Sequence, residues 1–474
     1  MTDTSETEAT TASESDAALR AAVERGLPAT IAELCALVRI PSVAWTALDP
    51  SHVHASAEAV ADLARGLGVF ESVEIKQAGI PGGSELGQPA VLATRRARNG
   101  RPTVLLYAHH DVQPPGKDEE WESNPFEPTV RGDRLYGRGA ADDKAGVMAH
   151  IASIRALIES AGPDFDLGLA LFIEGEEEFG SRSFATFLEE NRESLRGDAI
   201  VVADSNNWDI DTPALTIALR GNVTFRLTVR TLDHASHSGM FGGAVPDAML
   251  ATIRLLATLH DADGAVAVAG LTSHDAPTPD YSEEQLRLET GLLDGVTPIG
   301  RGSILSRIWS QPSITVTGID AASVANASNT LSPAITVRIS ARIAPGQAAA
   351  DARIALEKHL NENVPFGARL EIDDVDMGEP FLVDTSGWAV AEARRAMTDA
   401  WGGVEPVDIG VGGSIPFIAD LVRVFPEAQI LVTGVEDPDS RAHSPNESLH
   451  LGVFKRAVLS EALLLGRLNR RTGH

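Results

Sequence analysis

Several separated stretches of the chain present imidazoles and carboxylates, the side chains that hold divalent cations and move protons. The first is TVLLYAHHD, residues 103–111, an apolar run that ends in His109, His110 and Asp111. Side chains alternate along extended chain, so His109 and Asp111 point the same way. An imidazole with a carboxylate beside it suits a metal ligand and its orienting partner. Adjacent acids follow at Asp142 and Asp143, just after Gly137 and Gly139 loosen the backbone. Glu174, Glu176, Glu177 and Glu178 cluster at 174–178, Asp204 stands alone, and His443 lies in a polar loop. Singly, each has a plainer explanation, such as a polar strand end or a helix cap; either Asp142 or Asp143 can cap the helix that follows.

The elements that carry these residues make the set coherent. Continuous apolar runs at 104–107, 167–173 (LGLALFI), 199–203 (AIVVA) and 429–433 (QILVT) read as strands buried on both faces. Three of them end in a His, a carboxylate cluster and an Asp, and the fourth leads into the loop of His443. In open α/β sheets, sites are built just past the C-terminal ends of strands. Amphipathic helices are expected over 17–39, 53–67, from the Asp pair to about Ser160, and over 386–400 and 452–470. Pro28 should begin a new helix or kink the first. Strands are expected at 69–76 and 90–95.

Between 219 and 383 the period changes. NVTFRLTVRT, 222–231, alternates strictly, as do 313–317 and 334–343. With helices at 246–260 and 347–363 and a last strand at 369–376, the order is β-α-β-β-α-β. That order predicts a small antiparallel sheet with helices on one face. Residues 264–312 form a long insertion with a helix-like piece at 283–293. The reading is a domain at 219–383 inserted into a first domain made of 17–218 and 384–474.

With 474 residues the chain is too long for one ordinary core. Its net charge of −28 excludes nucleic acid and anionic membrane surfaces as natural partners. No apolar run approaches the roughly 20 residues of a membrane span. The single Cys35 excludes an internal disulfide and reads as a core residue. Residues 1–16 are Ser, Thr, Ala and acids without a basic residue, read as a disordered tail and not a secretory signal. A cytoplasmic location follows.

AHHDVQP (108–114), GRGAADDKAG (137–146), EGEEEFGS (174–181), ADSNNW (203–208), ASHSGMFGG (235–243), SARIAP (340–345), GGSIP (412–416) and AHSPNE (442–447) occur in this order. Together they resemble the aminoacylase/carnosinase-type di-zinc metallopeptidases, a family of dipeptidases, glutamate carboxypeptidases and N-acyl amino-acid deacylases. The resemblance runs from about residue 17 to 470. It implies a mixed-sheet α/β catalytic domain of the zinc-exopeptidase type with an inserted α+β, ferredoxin-like lid and dimerisation domain. It further implies that His109, Asp142 and Asp204 hold one metal, and Asp142, Glu178 and His443 the other. Asp111 orients His109, and Glu177 is the general base. The run 176–178 allows a one-residue register shift; Gly180-Ser181 at the family spacing favours Glu177 and Glu178, leaving Glu176 without a role. His237 matches a histidine that reaches the partner subunit's active site. Arg342 matches the residue that grips the substrate carboxylate, with Thr330 nearby and Ser414 in a Gly-rich turn.

Those ligands would leave two cations net positive by one, a charge that hydroxide neutralises. A nitrogen and oxygen set without thiolates suits Zn2+, with Mn2+ or Co2+ as substitutes. The resulting expectation is a homodimeric di-zinc dipeptidase acting on short peptides with a free C-terminal carboxylate. The insertion at 264–312 favours the carnosinase type; N-acyl amino-acid deacylation uses the same metals and base and is the alternative. An intact Glu177 and a complete ligand set argue against a non-catalytic binding module.

Overall fold

The structure, a computed structural model, describes residues 3–45, 47–412 and 416–471, with side chains from residue 13 onward except at 416. They form two compact units. One comprises Met1–Thr216, Val383–Asp408 and Asp420–His474; the other comprises Ile217–Leu382 and Ile409–Ala419.

The first unit is built on a mixed sheet. Ser72–Lys76, Ala90–Arg95, Gly168–Glu174, Thr103–His109, Ala199–Val202 and Gln429–Val432 lie side by side in that order. The first three pair antiparallel and the last four run parallel. Leu169 to Ile173 and Val104 to Ala108 are at most 1% exposed, which is why both runs read as apolar throughout. Truncating one such residue, as in Leu171→Ala, is expected to cost about 2–5 kcal/mol. Because the four strands are parallel and in register, their C-terminal ends coincide: His109 stands opposite Glu174, and Tyr107 opposite Val202.

The helices Asp3–Val38, Lys144–Ala161, Trp388–Ala400 and Leu451–Arg470 belong to this unit. A Cβ at Gly466 would meet Leu19 Cδ1 at 2.5 Å, so the absence of a side chain there lets the first and last helices approach. Buried His150 ties three elements together. Its Nδ1 lies 2.9 Å from Glu461 Oε2 and its Nε2 lies 2.9 Å from the Tyr107 carbonyl.

The N-terminal helix bears on two expectations. The first helix runs through Pro28 without ending there, at the cost of the hydrogen bond that a proline nitrogen cannot donate. It also begins at Asp3, within the stretch 1–16 read as a disordered tail. At the end of that stretch the Asp16 carboxylate accepts from Arg467 and Arg470 at 2.7 Å each and ties the helix to the last one. A small sheet of Ser448–His450, Arg134–Tyr136 and Thr129–Arg131 was also not foreseen. Its three-residue strands are too short to show a period.

The second unit carries the four-stranded antiparallel sheet Ser313–Asp320, Ala334–Ile343, Gly221–Arg230, Arg369–Gly378, in that order. Val223, Phe225, Leu227 and Val229 are buried, and so are Ile335, Val337, Ile339, Ala341 and Ile343. They pack against Ala248, Ala251 and Leu255 of Ala248–Leu256 and against Ala352, Leu356 and Leu360 of Ala349–Asn363. Strict alternation thus puts one face of the sheet under two helices. The insertion 264–312 contains the helices Glu283–Thr290 and Ile304–Trp309. Among the described residues, no helix is long and apolar enough to cross a membrane.

Candidate metal centre

At the aligned strand ends of the first unit, two imidazoles approach one carboxylate from opposite sides. His109 Nε2 lies 3.1 Å from Asp142 Oδ1, and His443 Nε2 lies 3.0 Å from Asp142 Oδ2. His443 Nε2 is also 3.1 Å from Glu178 Oε2, and His109 Nε2 is 3.9 Å from Asp204 Oδ1. The other ring nitrogen of His109 faces Asp111, 3.1 Å from its carbonyl and 3.4 Å from Oδ1. That contact holds the Nδ1 proton and turns Nε2 toward the acids. Gln113 Nε2 donates to Glu178 Oε2 at 2.7 Å. The five side chains expected to hold metals, His109, Asp142, Glu178, Asp204 and His443, therefore meet at one place.

Hydrogen bonding separates neighbours that sequence alone cannot. Asp143 Oδ1 accepts from Gly146 N–H, capping Lys144–Ala161, and Oδ2 accepts from His109 N–H at 3.1 Å. Asp143 comes close to His109 and Asp204 as well. With an amide proton on each oxygen it serves as a cap, and Asp142 is the acid with both oxygens turned to imidazoles. In the glutamate run, buried Glu176 accepts from Gln88 N–H, Arg182 and the Ser183 amide. Those partners occupy both its oxygens and fix the turn. Asp111 accepts from Glu177 N–H and Glu178 N–H, at 3.1 Å each, so it also sets the turn that carries both. Among the described residues the Glu177 carboxylate takes no hydrogen bond, which leaves both its oxygens available as proton acceptors.

The electrostatics are those of a desolvated anion cluster. Burial pushes the Glu178 carboxyl up to about 7 and the Asp204 carboxyl up to about 6. Burial also lifts Glu177 well above the ordinary carboxylate range. Asp142 is the exception: burial would raise it, but hydrogen bonds from His109 and His443 hold it well below that range. In return the Asp142 and Glu178 carboxylates push His443 up to about 11. Protons on the two imidazoles thus occupy the place that cations would take. Burying several carboxylates together is costly without compensating positive charge. His109, Asp142 and Glu178 each bring a ligand atom within 4.8 Å of the others. The neutral-nitrogen and carboxylate set, without a thiolate, fits divalent zinc, manganese or cobalt.

The loop after Val202 approaches the one after Val432 closely. A Cβ at Gly434 would lie 1.3 Å from the Ser205 carbonyl, so glycine is required beside the residue that follows Asp204.

The remaining expected site residues lie in the second unit or outside the described residues. His237 and Thr330 are opposite each other in the two-stranded ribbon of Ser236–His237 and Thr330–Leu331. His237 Nδ1 accepts from Gly239 N–H at 3.0 Å, which puts the proton of the neutral ring on Nε2. Arg342 is half-buried on Ala334–Ile343, across from Asn222 and Ser313. Ser414 lies outside the described residues. Two side chains at the centre went unassigned from sequence, Gln113 and Glu447, while Asp143 takes the capping role that the sequence left open between it and Asp142. Gln113 and Glu447 sit inside AHHDVQP and AHSPNE, and that membership was the available signal.

A family model described as Peptidase family M20/M25/M40 matches residues 105–466. A cysteinylglycine-S-conjugate dipeptidase of Corynebacterium striatum is 33% identical over 379 residues, 79% of this chain and 83% of the relative. A beta-Ala-His dipeptidase of Rattus norvegicus is 27% identical over 414 residues, 82% of each. Among solved structures, the dipeptidase Dug1p of Saccharomyces cerevisiae superposes with a TM-score of 0.75 at 23% identity, over 97% of this chain and 99% of that one. Human carnosine dipeptidase 1 gives 0.75 at 23% identity, over 96% and 98%. At these identities the two structures speak for the fold.

Proposed function

Because the chain belongs to peptidase family M20/M25/M40 and is a dipeptidase-like metallopeptidase, we propose that it hydrolyses dipeptides at a two-metal centre with Glu177 as general base. The observation that carries the two-metal reading is Asp142, with one oxygen at His109 and the other at His443. His109 and Asp204 complete one side of this bridging acid, Glu178 and His443 the other. Two zinc ions, or manganese or cobalt in their place, would supply Lewis-acid charge and lower the pKa of water from about 16 toward neutrality.

The chain's own groups do the rest. Glu177 takes the proton of the attacking water and returns it to the leaving amine. Its desolvation, and the absence of a hydrogen bond to its carboxylate among the described residues, both favour that cycle. Asp111 keeps the Nδ1 proton of His109 in place and holds the backbone of Glu177 and Glu178. On the second unit, Arg342 offers a planar fork to the substrate carboxylate and Thr330 serves the same subsite, to which the family resemblance also assigns Ser414. His237, with its Nε2 proton, is the donor to the developing oxyanion and is supplied by the partner subunit. The second unit is accordingly the dimerisation domain and lid; the exposed edge strand Ser313–Asp320, with Val316 and Ile319 in solvent, is a surface for a second copy.

The deciding experiment is a zinc-reconstituted screen of free dipeptides, among them Cys-Gly and beta-Ala-His, against tripeptides and N-acetyl amino acids. Turnover of free dipeptides is expected. Turnover confined to N-acetyl amino acids would make the protein a deacylase.

A further inference from the structure

We propose that Glu447 is the positioning residue that sets Asp142 between the two imidazoles, by fastening the turn that carries Asp142 to the loop that carries His443. The inference rests on the two-metal reading above. Glu447 is four residues beyond His443 and fully buried. Its Oε2 accepts from Arg138 Nη1 at 2.7 Å and from Gly139 N–H at 3.0 Å. Its Oε1 accepts from Ala141 N–H at 2.9 Å and from Asp142 N–H at 3.1 Å. Gly137 N–H reaches the Glu447 carbonyl at 3.1 Å. The turn 137–142 is thus wrapped around one carboxylate.

Four donors use the four acceptor sites of a carboxylate. Glu447 is therefore not itself a ligand; it is saturated, and its partners are backbone groups whose position decides where Asp142 points. The wrapping needs Gly139 in particular. Its φ is +80°, and a Cβ there would meet Val112 Cγ1 at 2.5 Å.

The other end of the link is the loop that carries His443. Arg441, His443 and Asn446 all have left-handed φ, at 55°, 62° and 62°. Non-glycine residues in that region persist where their surroundings over-determine them. Three anchors do so here. Asn446 accepts from Glu122 N–H and donates to the Glu120 carbonyl. Arg138 reaches the Ser444 carbonyl at 3.4 Å. Glu447 closes the loop onto Asp142, so a single carboxylate sets the spacing between a proposed bridging acid and a proposed ligand of the second ion.

The test is a calorimetric zinc titration of the metal-free, full-length protein, with thermal unfolding of the same samples as a control for folding. Glu447→Gln keeps the volume but turns an NH2 against N–H donors. It should fold and bind zinc at least about tenfold more weakly, the range seen when groups that orient ligands are lost. Glu447→Asp keeps the charge but not the reach, and should bind nearly as weakly as Glu447→Gln. Should Glu447→Gln not fold, Arg138→Met, which removes one of the four donors, should show a smaller loss of affinity. Unchanged zinc affinity in the folded variants would overturn the positioning role while leaving the two-metal reading intact. A wild-type protein that takes up one zinc ion or none would overturn both.

Discussion

His443 Nε2 and Asp142 Oδ2 stand 3.0 Å apart, so the imidazole is paired with the acid proposed to bridge two ions. The Asp142 and Glu178 carboxylates raise His443 to about 11, and it is protonated at neutral pH. A divalent ion must displace that proton. Apparent zinc affinity should therefore rise with pH, by about tenfold per unit for each proton released. Below about 7 and then about 6, protonation of Glu178 and Asp204 should weaken binding further. Titrations in two buffers of different ionisation enthalpy read the proton release directly; a heat independent of buffer would contradict this account.

Glu177→Gln should leave zinc content at the wild-type level and lower kcat by about 100- to 10,000-fold, the usual contribution of a positioned acid-base group. Steady-state kinetics with metal analysis on the same preparation checks it. Unchanged hydrolysis would remove Glu177 from the mechanism.

His237 faces Thr330 across a two-residue ribbon of the second unit. His237→Ala should cut kcat far more than it changes metal content. If the histidine acts in trans, mixing His237→Ala with Glu177→Gln should recover activity in heterodimers. A fully active monomer in solution would rule out the trans arrangement.

The pair of His150 and Glu461 makes a prediction about stability. Both are buried, so removing the carboxylate in Glu461→Ala leaves His150 Nδ1 without its partner and should cost about 3–5 kcal/mol. Burial would lower His150, but Glu461 raises it above the ordinary histidine value. A raised folded-state pKa contributes stability that is complete below about 6.5 and fades as pH rises through the raised value. The difference between wild type and variant in urea denaturation should be larger at pH 6 than at pH 9.

The strand ends were legible in the sequence because LGLALFI and AIVVA stop abruptly at charged residues, and parallel register brings such ends together. The alternation of 222–231 and 334–343 likewise announced the antiparallel sheet of the second unit. Adjacent like residues were harder. Asp142 and Asp143 differ only in which donors they meet, and the cap on Gly146 with the bond from His109 N–H settles that. Glu176 looks no different from Glu177 until Arg182 and Ser183 are seen to occupy it. The contacts of Glu447 span about 300 residues of chain, and no local pattern encodes them. The first helix hid its beginning because its acidic, Ser- and Thr-rich start has no apolar face.

Asp143 spends one oxygen on starting the helix Lys144–Ala161 and the other on the amide of His109. Fraying of that first turn and drift of the histidine are consequently the same event. Amide exchange at Gly146 and at His109 should report a common opening, and warming should not inactivate the enzyme before this helix begins to melt.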